Sequence, residues 1–190
     1  MINLEKGQKV VIDGGIKFAF AGLGWDVNKY DGGEDFDLDA SVFMLNDEGK
    51  LGSEKNFVFY NNLTDPAGSV KHSGDNRTGD SAGDDEKILI NFGKIPSDVQ
   101  KLVVVVTIHK AKERKQNFGQ VSNAYIRLVK LDKESDTDGV EELRFDLSED
   151  YSVETALRVA EIYRNGGEWK FVAVGDGYKE ELDKFVADYQ

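Results

Sequence analysis

The sequence predicts a mainly β protein, an antiparallel β-sandwich with a C-terminal helix. Three observations support this fold class: the apolar segments are short and mostly strand-like, glycine-containing turns separate them, and only two prolines occur. The chain has 190 residues, of which 39% are hydrophobic, and no segment resembles a linker. We therefore expect a single domain over residues 1–190, with enough apolar material for a core.

The first strand predictions follow from apolar periodicity. Residues 36–42 alternate between apolar and polar side chains, which is the pattern of a half-buried strand. Turn residues follow at 46–49, and residues 57–60 indicate a strand that returns along the first. Further strands are predicted at 87–92, 102–108, 124–131 and 140–147. Because residues 102–108 are apolar on both faces and rich in valine, we expect them to form a central, buried strand.

The C-terminal part of the chain combines an ambiguous segment with a helix. Residues 154–164 fit either a helix or a strand, but Asn165-Gly166-Gly167 and the apolar residues 169–174 after it favour a hairpin. Tyr178–Tyr189 is predicted as a helix, because its apolar residues recur at positions i, i+3, i+4 and i+7. These apolar residues are Leu182, Phe185, Val186 and Tyr189.

Composition excludes several kinds of site and partner. The chain has no cysteine, so disulfides, thiolate metal sites and cysteine nucleophiles are excluded. Residues 1–7 lack the apolar run of a signal peptide, and no apolar stretch approaches about 18 residues, so we expect a cytoplasmic protein with no membrane span. The isoelectric point of about 4.6 disfavours a nucleic-acid partner, because an acidic surface repels phosphates.

Most of the net charge lies in two short stretches. Residues 31–47 and 73–86 together contain 11 acidic residues and one basic residue, while the net charge of the whole chain is −12. Charge concentrated in this way repels itself unless a cation binds, so the two stretches predict a metal site. A solvated acidic face is the alternative, but such a face is normally interspersed with lysines, as the rest of this chain is.

The alternating segment also predicts how its carboxylates are arranged. In a strand, Asp35, Asp37 and Asp39 point to the same side, about 6.7 Å apart in steps of two residues. Two carboxylates at that spacing near a surface repel each other by about 2 kcal/mol. Since the apolar residues between them belong to the core, packing should hold the row in place as a preformed metal site.

The residue types favour calcium over other metals. Calcium prefers about six to eight oxygen ligands from carboxylates, amides, carbonyls and water. The second stretch offers Asp75, the amide oxygen of Asn76 and the three carboxylates of Asp84–Glu86, and Asp26 would close the cluster. This many acids can accommodate two calcium ions. Magnesium needs fewer carboxylates, and zinc or iron is disfavoured by the presence of only two histidines and no cysteine.

An EF-hand and other candidate sites fit the sequence less well. In an EF-hand alignment Ala40 occupies the glycine position and Asn46 the final glutamate position, so the site would be built on a β-scaffold. Neither histidine, His72 or His109, lies beside a recognisable nucleophile. The basic segment 110–115 would contact an acidic patch on another copy, bind a phosphate ligand or form a solvated turn, and we favour the solvated turn.

Nine short motifs are spread along the chain. They are Gly22–Asp26, Phe36–Ser41, Phe59–Asn62, Gly74–Gly79, Gly83–Glu86, Val105–His109, Phe118–Val121, Ala124–Leu128 and Glu168–Phe171. In this order they resemble the TerD family of tellurium-resistance and stress-response proteins, over essentially the whole chain. The resemblance implies a β-sandwich that binds calcium through its acidic loops, in bacterial proteins linked to tellurite and other chemical stress. Some members are described as cyclic-AMP-binding proteins, and no enzymatic activity is implied.

On the matching positions, the resemblance also implies a set of calcium ligands. The set is Asp26, Asp37, Asp39, Asp75, Asn76, Asp84, Asp85 and Glu86. The resulting hypothesis is a calcium-binding stress-response module that is not an enzyme, with two calcium sites formed by the acidic loops 26–39 and 75–86. Calcium ions and other stress-response proteins would be its partners. The alternatives left open are a cyclic-AMP-binding protein of the same family and a metal-dependent phosphoester hydrolase, which needs an open coordination position and a general acid or base.

Overall fold

The structure, a computed structural model, describes residues 2–3, 9–11, 15–28, 34–81, 83–147, 151 and 153–190, with residues 2–3 and 9–11 described by their backbone. In these ranges the chain forms twelve strands, two α-helices and three short 3₁₀ helices, which are Glu54–Asn56, Phe92–Lys94 and Phe118–Gln120. The strands are β1 (Ile2–Asn3), β2 (Lys9–Val11), β3 (Phe18–Gly24), β4 (Leu38–Leu45), β5 (Phe57–Val58), β6 (Val70–His72), β7 (Glu86–Asn91), β8 (Lys101–Ile108), β9 (Tyr125–Leu131), β10 (Val140–Asp146), β11 (Ala156–Asn165) and β12 (Glu168–Tyr178). The α-helices are α1 (Ala111–Arg114) and α2 (Leu182–Tyr189).

Two six-stranded sheets pack against each other. The strand order is β1-β10-β9-β3-β7-β6 in the first sheet and β2-β12-β11-β8-β4-β5 in the second. The pairing of β1 with β10 is parallel, and the other described pairings are antiparallel. The predicted antiparallel β-sandwich with a C-terminal helix is confirmed. No helix in the described part of the chain is long and apolar enough to cross a membrane.

The main core lies between the two sheets. Leu23 of β3 and Ile88 of β7 pack in one buried cluster with Leu38 of β4 and Val104 of β8. Burying a side chain of this size contributes about 1.5–3 kcal/mol, so the core strongly favours one orientation of β4. The residues of β4 that alternate with Leu38 must then point to the outer face of the second sheet.

Helix α2 covers part of that outer face. Its Phe185 packs in a second buried cluster with Phe43 of β4 and with Val103 and Val105 of β8. Strand β8 is therefore buried on both faces, as the sequence predicts. The helix begins at Leu182, four residues later than predicted, because the residues up to Tyr178 continue strand β12.

Strand β4 is also buried on both faces, which corrects the prediction of a half-buried strand. Asp37, Asp39 and Ser41 alternate with the core residues as expected, but each is at most 4% exposed. Asp39 shares a 320 Å³ cavity with Tyr60, His109 and the start of α2, so neighbouring segments enclose this face. The alternation of polar and apolar residues predicts the face on which a side chain lies and does not predict its exposure.

The hairpin of β11 and β12 confirms the interpretation of residues 154–174 as two strands. Asn165 pairs with Glu168, and the two residues between them, Gly166 and Gly167, have φ angles of 61° and 88°. Positive φ at both central positions is what a tight two-residue hairpin needs, and glycine adopts it without steric cost.

Three strands of the first sheet (β1, β3 and β6) and strand β2 of the second are not among the sequence predictions. Strand β3 lies between β9 and β7, but its two glycines are typical of a turn and mask its strand character. A Cβ atom at Gly22 would lie 2.5 Å from Cγ of Asp84, so the glycine makes room for a side chain from the neighbouring strand region. The short strand β6 gives too little sequence for an alternation to be recognised.

We expect Phe185→Ala to separate helix α2 from the sheet. Phe185 is the buried residue of this helix, and truncating a buried phenylalanine costs about 3–5 kcal/mol. Urea unfolding should therefore show a free energy of unfolding lower by about that amount, while the exposed control Ala187→Ser changes it by less than about 0.5 kcal/mol. Equal stability of Phe185→Ala and the unmodified chain would contradict the packing of α2.

Candidate cation site

The two acidic stretches meet at one place in the sandwich. Asp37 and Asp39 of the first stretch and Asp75 of the second each place a carboxylate oxygen within 4.8 Å of the other two. We call these three residues the acidic cluster. Asp37 and Asp39 are buried and Asp75 is exposed, so the cluster is open to solvent on one side. Asp31, at the start of the first stretch, lies outside the described residues.

Hydrogen bonds fix the backbone that carries Asp37. The indole Nε1 of Trp25 donates to the carbonyl oxygen of Phe36 at 3.0 Å, and the backbone N–H of His109 donates to the carbonyl oxygen of Asp37 at 2.8 Å. Trp25 itself is 4% exposed and belongs to the main core. Asp35 is exposed and is not part of the cluster, so the predicted row of three aspartates contributes two of its members.

The backbone next to Asp39 is held by side chains from the other sheet. Strand β5 pairs with Val42 and Phe43 of β4 and does not reach Ala40. The N–H of Ala40 instead donates to Oε2 of Glu86 at 2.7 Å, and its carbonyl oxygen lies 3.2 Å from Nε2 of His72. Nδ1 of His72 accepts from the N–H of Gly74 at 3.0 Å, so Nε2 carries the proton and donates. We call these two contacts of Ala40 the Ala40 clasp.

Glu86 therefore has a positioning role behind the acidic cluster. Its side chain is fully buried, and besides Ala40 and His72 it accepts from the N–H of Asn76 at 3.4 Å. Burial raises the pKa of its carboxyl group, and the hydrogen bonds from His72 and Ala40 act in the opposite direction. Each carboxylate oxygen is occupied by protein donors, so Glu86 orients β4 and the loop after β6 at the same time.

Asn76 and Asp85 shape the loop that carries Asp75. The amide oxygen of Asn76 accepts from the N–H groups of Thr78 and Gly79 at 3.1 and 3.2 Å, and its amide nitrogen donates to Asp85 at 3.2 Å. Asp85 also accepts from the N–H of Trp25 at 3.0 Å. Burial raises the pKa of Asp85, and the N–H groups that it accepts from counteract this rise. In the structure both residues close the loop.

Asp84 is bound by an arginine on a neighbouring strand. Its two carboxylate oxygens each accept from Arg127 of β9 at 2.7 Å, and the hydroxyl group of Tyr125 lies 3.1 Å from one of them. The absence of a side chain at Gly22 leaves the space for this ion pair. Both carboxylate oxygens of Asp84, a predicted calcium ligand, thus accept hydrogen bonds from the protein itself.

Asp26 lies in a different cavity. It accepts from the amide nitrogen of Asn123 at 2.8 Å and lines a cavity of about 510 Å³ with Ser81 and Asp146. Of the eight predicted ligands, the structure therefore brings three into one cluster and distributes the others around it.

Burial and mutual repulsion make full ionisation of the acidic cluster unfavourable. Burial raises the pKa of Asp39 to about 8, and the charges of Glu86, Asp37 and Asp75 act in the same direction. Burial is also the main cause that raises the pKa of Asp37. The pKa of Tyr60 is raised by burial and then by the charges of Asp39, Asp75 and Asp37. A positive charge placed among these groups would relieve the repulsion.

Two arginines approach the cluster from the side. Nη1 of Arg114 lies 3.6 Å from Oδ2 of Asp37, and its Nε lies 2.9 Å from a carboxylate oxygen of Glu34. Nε of Arg77 lies 3.8 Å from the same oxygen of Asp37. The basic segment 110–115 was expected to be solvated, and this is wrong for Arg114, whose side chain is 16% exposed. Nothing in the local sequence distinguishes Arg114 from the exposed lysines beside it.

The donor set of the cluster suits a calcium ion. Three carboxylates supply the hard oxygen ligands that calcium prefers, and the solvent on the Asp75 side can complete its coordination. A cavity of about 490 Å³, lined by Asp35, Asp37, Arg77 and Thr78, leads to the cluster. The cluster is therefore accessible as well as fixed by packing.

Comparisons with known proteins agree with this architecture. The TerD domain family model matches residues 1–189. General stress protein 16U of Bacillus subtilis (strain 168) is 50% identical over 191 aligned positions, which cover 99% of this chain and 96% of that protein. Tellurium resistance protein TerD of Serratia marcescens is 49% identical, with coverage of 99% and 96%. The crystal structure of a homologue of telluride resistance protein (TerD) from Streptomyces coelicolor A3(2) has a TM-score of 0.73 at 22% identity, covers 90% of this chain and 96% of that chain, and shows the similarity of fold.

Asp39→Asn should stabilise the ion-free protein at alkaline pH. The pKa of Asp39 rises from 3.8 to about 8 on folding, so the folded state retains a proton that the unfolded chain loses. The free energy of unfolding therefore falls as the pH rises from 3.8 to about 8. Asparagine does not titrate, so Asp39→Asn removes this pH dependence. In EDTA, we expect a gain of up to about 5 kcal/mol near pH 9 and little change near pH 4, measured by urea unfolding. An equal loss of stability at both pH values would contradict the assigned environment of Asp39.

Glu86→Leu should destabilise the protein through the Ala40 clasp. Leucine has a similar volume but accepts no hydrogen bond, so the N–H groups of Ala40 and Asn76 lose their partner. A buried donor left without an acceptor costs about 1–3 kcal/mol. We expect the free energy of unfolding to fall by at least about 2 kcal/mol, whereas Glu48→Leu, in an exposed turn, serves as the control. Unchanged stability of Glu86→Leu would show that the clasp does not connect the sheets.

Proposed function

Because the chain belongs to the TerD family, we propose that it is a calcium-binding module of a tellurium-resistance or stress-response system. The observation that carries this proposal is the acidic cluster, in which two separate parts of the sequence bring three carboxylates together. Its role would be binding rather than catalysis, and the names of the relatives describe resistance and stress proteins.

The spacing and charge of the cluster support a cation as its ligand. Oxygens that lie within 4.8 Å of one another can share one calcium ion at bond lengths of about 2.3–2.6 Å. Asp37, Asp39 and Asp75 would hold the ion. The raised pKa values of Asp37 and Asp39 report mainly the cost of burying these carboxylates, to which the charges of neighbouring acids add, and a divalent cation offsets this cost.

Cation binding would couple the second sheet to the loop that precedes β7. Asp39 belongs to β4 and Asp75 to the loop after β6, so one ion holds both. At a concentration of about 100 times the dissociation constant, binding stabilises the folded state by about 2.7 kcal/mol. Arg77 and Arg114 partly neutralise Asp37, and the charge of this surface changes when a cation takes over that role. Such a change in surface charge would alter the affinity of a partner protein for this surface, and so would transmit a calcium signal.

Several finer parts of the hypothesis stay predictions. A second calcium ion would have to bind outside the acidic cluster, and the cavity that Asp26 and Asp146 line is the place to look for it. The cyclic-AMP-binding and phosphoester-hydrolase alternatives stay predictions as well. The cytoplasmic location, the other stress-response proteins as partners and the single domain over residues 1–190 belong to the proposal as expectations.

Calorimetric titration of calcium into EDTA-treated protein tests the proposed site. Asp37→Asn and Asp75→Asn each remove a charged ligand, and we expect the dissociation constant to rise at least about tenfold, or about 1.4 kcal/mol. Asp84→Asn is the matched control, because Arg127 occupies both oxygens of Asp84. This control should leave the calcium affinity within about twofold.

The same titration has a second readout in proton release. Because the pKa of Asp39 is about 8, calcium binding near pH 7 should displace a proton and give a heat that depends on the buffer. Absence of calcium binding at millimolar concentration would refute the proposal. A loss of affinity in Asp84→Asn that equals the loss in Asp37→Asn would also count against the proposed ligands.

A further inference from the structure

An apolar groove lies beside helix α2, and it shares Tyr60, Leu182 and Asp183 with the neighbouring cavity that Asp39 lines. Its volume is about 560 Å³, within the range of about 300–1,000 Å³ that is usual for small-molecule sites. The apolar part of its lining comes from Leu51, Phe57, Phe59, Leu182 and Val186. The helix supplies one side of this lining, and the residues that follow strand β4 supply the other.

A column of parallel aromatic rings ends in this groove. The ring of Phe43 stacks on Phe57 at 4.2 Å with an angle of 11° between the ring planes, and Phe57 stacks on Phe59 at 4.2 Å and 7°. Phe43 is fully buried, whereas Phe59 is partly exposed and lines the groove. Tyr60 meets Phe59 edge-on at 5.1 Å. A planar aromatic ring in the groove would contact Phe59 by stacking or by an edge contact, the two arrangements that aromatic rings prefer.

The surroundings of the groove favour a small molecule over a folded partner. A stable protein interface buries about 800 Å² on each partner, around an apolar centre. The large apolar side chains that are well exposed in the described residues are Val27, Leu63, Val140 and Val153, and none of them lines the groove. None of these well-exposed side chains therefore extends the lining of the groove into a broad apolar interface.

The charged residues of the groove favour a neutral or cationic ligand. Glu54 and Asp183 are exposed carboxylates in the lining, and Lys55 supplies one opposing charge. The net charge of the whole chain is −12, which further disfavours an anion.

We propose that this groove binds a small planar aromatic molecule that is neutral or positively charged. The ring of the ligand packs against Phe59 at the open end of the aromatic column, and the carboxylates of Glu54 and Asp183 attract a positive charge. No residue of the acidic cluster lines the groove, but Tyr60, Leu182 and Asp183 also line the cavity of Asp39, so binding is measured with and without calcium.

Titration with thioflavin T, a planar cationic dye, tests the proposal by fluorescence and by amide chemical shifts in NMR spectra. We expect saturable binding with one dye per chain, with shifts concentrated at residues 51–62 and 182–190. Phe59→Leu keeps an apolar side chain but removes the ring, and it should weaken binding at least about fivefold, or about 1 kcal/mol. Leu63→Ala is the matched control, since Leu63 is apolar and exposed but lies outside the groove.

A second variant keeps the proposal testable if Phe59→Leu disturbs folding. Glu54→Gln changes one exposed charge, and it should weaken binding of the cationic dye about twofold or more without changing the melting temperature. The anionic dye anilinonaphthalene sulfonate should bind more weakly than thioflavin T. Absence of saturable binding, or shifts that map outside the groove, would overturn the proposal. The titration is run with calcium and with EDTA, so a failure of the calcium site is seen separately.

Discussion

The Ala40 clasp is the contact on which the geometry of the acidic cluster depends. Strand β5 pairs with Val42 and Phe43 of β4 but does not reach Ala40, so the N–H and carbonyl groups of Ala40 need other partners. Glu86 and His72 supply them from the opposite sheet, and the same carboxylate of Glu86 accepts from the loop that carries Asp75. One buried side chain thus sets the distance between two parts of the chain that carry like charges. A strand partner at this position would satisfy Ala40 equally well but would leave the loop of Asp75 without this connection.

At the acidic cluster, packing holds carboxylates close together although their charges repel each other. The proposed function, cation binding, would relieve this repulsion. The core residues of β4 direct Asp37 and Asp39 to the outer face, and the surrounding segments bury them. Burial raises the pKa of Asp39 to about 8, so the folded chain holds a proton there when no cation is present. A cation that displaces this proton restores three ionised carboxylates. The acidic cluster is therefore held in place by interactions that do not involve an ion, and under the proposed function an ion would change the charge of the site more than its shape.

The sequence predicts the sheets well because apolar alternation depends on local residues. Alternation predicts that Asp37 and Asp39 lie on the same side of the chain, a continuous apolar run predicts the buried strand at 102–108, and the glycine turn predicts the hairpin after residue 154. The roles of the other acids depend on residues far away in sequence. Asp84 is paired by Arg127, and no local feature of the acidic stretch indicates an arginine on β9.

The same limit applies to the neighbours of the cluster. The exposure of Asp39 could not be predicted, because α2 and the residues after β8 cover the outer face only in the folded protein. Arg114 has the same local sequence environment as the lysines beside it, and its contacts with Glu34 and Asp37 form only in the folded protein.

The most direct measurement of the central claim is a crystal structure obtained with calcium. We predict one ion within about 2.3–2.6 Å of carboxylate oxygens of Asp37, Asp39 and Asp75, with Glu86 still bound to Ala40. A calcium ion bound elsewhere while this cluster stays empty, or one held directly by Glu86, would contradict the account.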